Sequence, residues 1–188
     1  MAPPDPAAQE ATHLDLPTTP LSRLVDGTVR GIAALVHWAW VLLAVIIFVN
    51  VILRYAMRTN FVWAEELQWH IYGIGIMIAI AYGISEDLHV RVDVLASKIR
   101  PVARARIELA GFALFLLPLF TLLLIYAVPF VQMAFVRNEI SSAPGGLTHR
   151  WLIKSVLILA FAMMLMATVG RISRLALYFR QLRKGATG

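Results

Sequence analysis

Five polar residues gather where two apolar runs turn back on each other. Asn50, Arg54 and Arg58 close the first run, and Glu65 and Glu66 open the second. Charges this close to hydrocarbon pair or face protein rather than lipid. Two readings stand at this point: a polar docking surface for a partner, or local ion pairing that lets the charges sit at an interface. Asn50 lies about one turn below Arg54 on the same face, so it is expected to join that network.

The most concentrated polar stretch is Glu86-Asp87-Leu88-His89-Val90-Arg91-Val92-Asp93. Imidazole and carboxylates are good metal ligands, which makes Glu86, Asp87, His89 and Asp93 a conceivable set. Arg91 sits in the middle, and no second ligand motif follows. These residues are therefore expected to pair with one another, cap short helices and fix the turn against a partner.

Catalytic constellations are scarce. Ser155, Thr121 and Thr168 have no matched base in their segments, so nucleophilic catalysis finds no partner group. The chain is not expected to be an enzyme. The histidines raise one rival, a haem- or quinone-associated membrane anchor of a redox complex. A bis-histidine haem needs two ligands at matching depth. His37 enters roughly 9 Å from one end of the first run, and His70 roughly 10 Å from the opposite face in the second. They fall in opposite leaflets.

The elements that must position these groups follow from composition. Of 188 residues, 60% are apolar and 15% charged, against about 45–50% and 25% in globular domains. So few charges cannot cover a soluble domain, and disordered chains are apolar-poor. Zero cysteines exclude disulfides and thiolate metal sites. The net charge is +6, but no basic cluster on a solvated domain points to nucleic acid.

Four runs reach the ~20 apolar residues a spanning helix needs: about 32–53, 62–84, 107–136 and 151–169. The fold class is therefore all-α and integral to the membrane. Pro118 and Pro129 are expected to kink the third helix at most. Residues 1–19 read as a disordered tail, and 181–188 as a second tail. Thr19-Pro20 reads as an N-cap with proline at the first helical position. Leu21, Leu24, Val25, Thr28 and Val29 follow at helical spacing, with Arg23, Asp26 and Arg30 off that stripe. This predicts a short interfacial amphipathic helix feeding the first span. Val92, Leu95, Ala96 and Ile99 predict another, ending before Pro101.

Basic residues set a direction. Arg23, Arg30, Arg91, Lys98, Arg100, Arg104, Arg106, Arg171, Arg174, Arg180, Arg183 and Lys184 lie on one side, 12 of the 17; Arg54, Arg58, Arg137, Arg150 and Lys154 lie on the other. The positive-inside rule puts both termini in the cytoplasm. Gly75, Ala79 and Gly83 recur every four residues, a surface that another helix backbone can approach closely. Packing within the four-helix unit is the first reading of that stripe, and packing on a partner the second. The middle thirds of the spans are nearly all aliphatic, which argues against a transport path through this chain alone.

Three motifs in order, Asn50-Val51-Ile52-Leu53-Arg54-Tyr55, Trp63-Ala64-Glu65-Glu66-Leu67 and His89-Val90-Arg91-Val92-Asp93, resemble the small membrane subunit of tripartite ATP-independent periplasmic (TRAP) transporters, the DctQ-like family. The similarity covers nearly all of residues 25–180. The stretch from Ser142 to Leu147, with Arg150-Trp151, is similar to one branch of that family. The resemblance implies a non-catalytic scaffold in the bacterial inner membrane, surrounded by lipid. It implies a large membrane subunit that carries the sodium and substrate sites and moves as an elevator, and a periplasmic protein that captures an organic acid. No cofactor is implied in this chain. By the same resemblance Arg54, Glu65 and Glu66 match family positions on the outer side, and His89, Arg91 and Asp93 on the inner side.

Overall fold

The computed structural model describes residues 14, 16–88 and 99–185. Among these, four helices are long and apolar enough to cross a membrane: α1 (Pro20–Met57), α2 (Val62–Glu86), α3 (Pro101–Val136) and α4 (Arg150–Lys184). No strand occurs among the described residues. The chain is a multi-pass membrane protein.

The α1 start is locked by a capping box. Thr19 accepts from the Ser22 N–H, and Ser22 Oγ accepts from the Thr19 N–H. Pro20 follows at N1, where its missing N–H costs nothing. From there α1 runs 38 residues without a break. The expected surface helix is therefore not a separate element; residues 20–30 continue the same helix as the span. The reason lies in which face is buried. Ser22, Val25, Asp26 and Val29 point inward, while Leu21 and Leu24 are exposed. Val25 packs on α4 at Gly170, where the two backbones approach closely. The stripe is thus turned by about one position from the expected one, and Asp26 belongs to it.

α1 and α2 form an antiparallel hairpin closed by Arg58 in the left-handed region (φ 53°), whose N–H reaches the Leu53 carbonyl. α3 holds a π-turn at Phe112–Leu116, where the Leu117 N–H bonds to the Phe112 carbonyl. Pro118 follows at once. Its ring cannot tolerate the carbonyl four residues back, and a π-turn relieves that clash. Pro129 sits inside the helix without interrupting it.

α4 is the central helix, packed against each of the other three, while α1 also packs on α2. Its inward face carries Ala160, Met163, Met164, Ala167, Thr168 and Leu175, all buried. Val25, Val29, Ile78, Ile84 and Phe120 close on it from the other helices. Trp38, Phe48, Phe115 and Tyr126 are exposed on the outside of the bundle.

Gly75 is where α2 receives α1. A Cβ there would lie 2.6, 2.9 and 3.2 Å from atoms of the Trp40 ring. Trp40 is also held edge-on to Tyr72, with centroids 5.9 Å apart. Gly75→Ala is expected to displace the indole and to cost about 1–3 kcal/mol by overpacking. Trp40→Leu in the same chain should restore part of the loss. The check is the melting temperature in detergent; a Gly75→Ala chain that melts with the wild type would contradict the packing described.

Candidate functional site

The polar residues form two collars, one at each end of the bundle. The terminal end holds the N-terminus of α1 and the C-termini of α2 and α4. The loop end holds the connections 58–61 and 137–149.

At the terminal end every helix contributes. Asp26 of α1 accepts from Ser85 Oγ of α2 and pairs with Arg174 of α4. Arg30 of α1 grips Glu86 of α2 with two bonds, at 2.6 and 3.0 Å. Arg171 of α4 reaches Glu108 of α3 at 2.6 Å and Asp87 at 2.9 Å. The Glu108 contact is a formed hydrogen bond; the Asp87 contact is an ion pair by distance whose N–H is not aligned for one. Only 4% of the Arg171 side chain is exposed. Thr19 and Ser173 hydroxyls meet at 2.8 Å. Asp87 itself ends α2 in the left-handed region (φ 60°).

At the loop end Arg54 pairs with Glu65 across the hairpin. Glu66 reaches the other connection: its carboxylate accepts from Ser141 Oγ and, at 2.7 Å, from the Leu147 N–H. The Ser141 N–H bonds the Leu147 carbonyl at 3.0 Å, so Glu66 clasps a loop that is already folded on itself. Gly146 lies against this clasp, with a notional Cβ 2.6 Å from Ser141 and 2.9 Å from Glu66. Glu139 pairs with Lys154, whose ammonium also sits 4.1 Å from the Phe130 ring centroid. That hydrogen bond, with the charges of Lys154, Arg150 and Arg137, holds the Glu139 carboxyl below its ordinary range against the opposing push of burial.

The collars are spaced as a bilayer is. Glu66 and Glu86 are 20 residues apart on α2, about 30 Å along the axis. Lys154 and Arg171 are 17 apart on α4, about 26 Å. Between them no helix carries Asp, Glu, Lys or Arg. The hydrocarbon core is about 30 Å thick.

The remaining sequence candidates divide. Asn50 is 5% exposed, and its Oδ1 has no hydrogen-bond partner among the described residues. It is not bonded to Arg54. Arg58 is exposed. Gly75 packs within the unit, Gly83 is half-buried, and Ala79 stays exposed. Ala79 lines an open groove of about 420 Å³ between α1 and α2 with Ala34, His37 and Tyr82. His89, Arg91 and Asp93 lie outside the described residues, as does most of the second expected interfacial helix.

No group of three or more His, Asp or Glu disposed to hold a metal occurs among the described residues. His37 faces the α1–α2 groove, whereas His70 is tied through Nδ1 to the Glu66 carbonyl at the other end. The Thr121, Thr168 and Ser155 hydroxyls each donate to a carbonyl of their own helix, the usual way a hydroxyl is satisfied in lipid.

Sequence reasoning missed Asp26, Ser85, Glu108, Arg171 and Arg174 at one end, and Glu139, Ser141 and Lys154 at the other. A signal existed for part of this set: Arg171 and Arg174 are spaced i, i+3, on one helix face.

No curated protein matches the chain. A family model does, over residues 42–177, described as the DctQ component of tripartite ATP-independent periplasmic transporters. That range runs from within α1 to near the end of α4 and takes in the whole loop-end collar and most of the terminal one. With four spanning helices pinned at both ends and the family model matched across them, the chain belongs to the DctQ family, a component of tripartite transporters and not a family of enzymes.

Proposed function

We propose that this chain is the small scaffold and docking subunit of a sodium-coupled TRAP transporter that imports an organic acid. Its partners are a large membrane subunit, which holds the sodium and substrate sites, and a periplasmic solute-binding protein. The observation that carries the reading is the distribution of charge. Ion pairs tie the helices together at both ends, and the span between them offers no Asp, Glu, Lys or Arg. A path for sodium or a carboxylate needs polar groups near mid-membrane. A body that resists being dragged by a moving neighbour needs its helices pinned at both collars.

The same reading places the chain in the bacterial inner membrane. The sequence assigns 12 of 17 basic residues to the side of the two termini, so on this reading the terminal end faces the cytoplasm and the loop end the periplasm. The exposed aromatic and aliphatic belt meets lipid and the large subunit.

The test is reconstitution. The complete transporter in liposomes is expected to take up solute only with an inward sodium gradient and the binding protein present. The small chain alone should show no solute-dependent sodium flux. Flux from the small chain alone, or failure of a large membrane subunit to co-purify in mild detergent, would overturn the proposal.

A further inference from the structure

The charges of the loop end are unequally engaged. Its three acids are all held: Glu65 by Arg54, Glu66 by Ser141 and Leu147, Glu139 by Lys154. Of its five basic side chains, Arg54 and Lys154 are in those pairs. Arg58, Arg137 and Arg150 have no ion pair among the described residues. Arg58 and Arg137 are exposed, and Arg150 is half-buried. The surplus charge that this end shows to its surroundings is therefore cationic.

The backbone of each of the three arginines is tied at the end of a helix. Arg58 caps α1 in the left-handed region. Arg137 caps α3, its N–H bonded to the Met133 carbonyl at 3.0 Å. Arg150 opens α4, its N–H bonded to the Glu139 carbonyl at 3.1 Å. The Glu66 clasp fixes the loop between the last two. The depressed Glu139 carboxyl registers the same field, since Arg150 and Arg137 both contribute to it.

Orientation does not account for these arginines. Basic residues next to short outer loops work against the positive-inside bias. A fixed cationic surface instead raises the encounter rate of an anionic partner and sets its approach.

We propose that Arg58, Arg137 and Arg150 form an electrostatic docking surface for an acidic face of the soluble periplasmic partner. This rests on the scaffold-and-docking reading and adds the sign of the surface and the residues that carry it. A protein is favoured over lipid headgroups because the clasped loop holds Arg137 and Arg150 at its two ends in fixed positions, which a fluid headgroup layer does not require.

The test is the association rate of the purified binding protein with the complete membrane complex in nanodiscs of zwitterionic lipid, followed across ionic strength. The wild-type rate is expected to fall as salt rises. The double variant Arg58→Glu/Arg137→Glu is expected to associate about tenfold more slowly at low salt, converging with the wild type at high salt. Arg23→Glu, at the opposite end, should change nothing. A salt-independent rate that the double variant leaves intact would overturn the docking surface while leaving the scaffold reading in place. An effect seen only in anionic nanodiscs would assign the arginines to lipid and overturn it too. A wild-type complex that binds no soluble protein would remove the docking reading beneath it.

Discussion

Arg171→Ala is expected to be the most damaging single truncation in the bundle, at about 3–5 kcal/mol. The guanidinium is 4% exposed and lies between Asp87, at 16%, and Glu108, at 11%. Removing it takes away the guanidinium that two shielded carboxylates share, so their charge is less well compensated and they must take up protons or draw in water. Three helices meet at that point, because Asp87 ends α2, Glu108 belongs to α3, and Arg171 sits on the central α4. Arg171→Lys should recover only part of the loss. A lysine is a point charge and cannot present two separated donors in one plane. Adding Asp87→Asn and Glu108→Gln to Arg171→Ala should recover more, since it is the uncompensated charge that costs most. Melting of the detergent-purified complex measures each step. Wild-type melting in Arg171→Ala, or a triple variant worse than the single, would contradict this account.

What was legible in the sequence was whatever depends on local pattern. Apolar run length gives the four spans, because a helix must satisfy its own backbone in hydrocarbon. Thr19-Pro20 gives the α1 start, because capping is settled within a few residues. Glu65 and Arg54 were legible as a group, because a tight hairpin brings their segments together. The terminal collar was not. Asp26 and Arg174 are 148 residues apart, and nothing local says that they meet. Asp26 was misread for a further reason. A hydropathy stripe assumes that the buried face is the apolar face, whereas near a membrane edge the outward face of a helix can be as apolar as the inward one. Leu21 and Leu24 face outward, and Ser22 and Asp26 face in.

The small-residue stripe shows how far a pattern of residue types reaches. Gly75, Ala79 and Gly83 share spacing but not role. Gly75 takes the Trp40 ring, while Ala79 opens onto the α1–α2 groove. Spacing fixes which residues share a helix face. It does not fix which neighbour covers that face, because that is decided by side chains on another helix.

The loop 137–149 had been readable only as turn chemistry from Ser141 to Gly146. Its order comes from Glu66, a residue 81 positions before Leu147. Glu66→Ala is therefore expected to loosen the loop without unfolding the helices. Glu66 accepts two hydrogen bonds as a charged acceptor, and both are lost together. The Leu147 amide should lose its protection from hydrogen exchange, and proteases should cut within 137–149. Glu66→Gln keeps one acceptor for the Leu147 N–H and should be milder. Gly146→Ala should reproduce the alanine phenotype from the other side, because its Cβ would displace Ser141 and the Glu66 carboxylate together. Exchange across α4 should stay near wild type in all three, since the terminal collar remains closed. If Leu147 exchanges at the wild-type rate in Glu66→Ala, the carboxylate does not order the loop. The arginines at the two ends of that loop would then lack the fixed placement that their docking role requires.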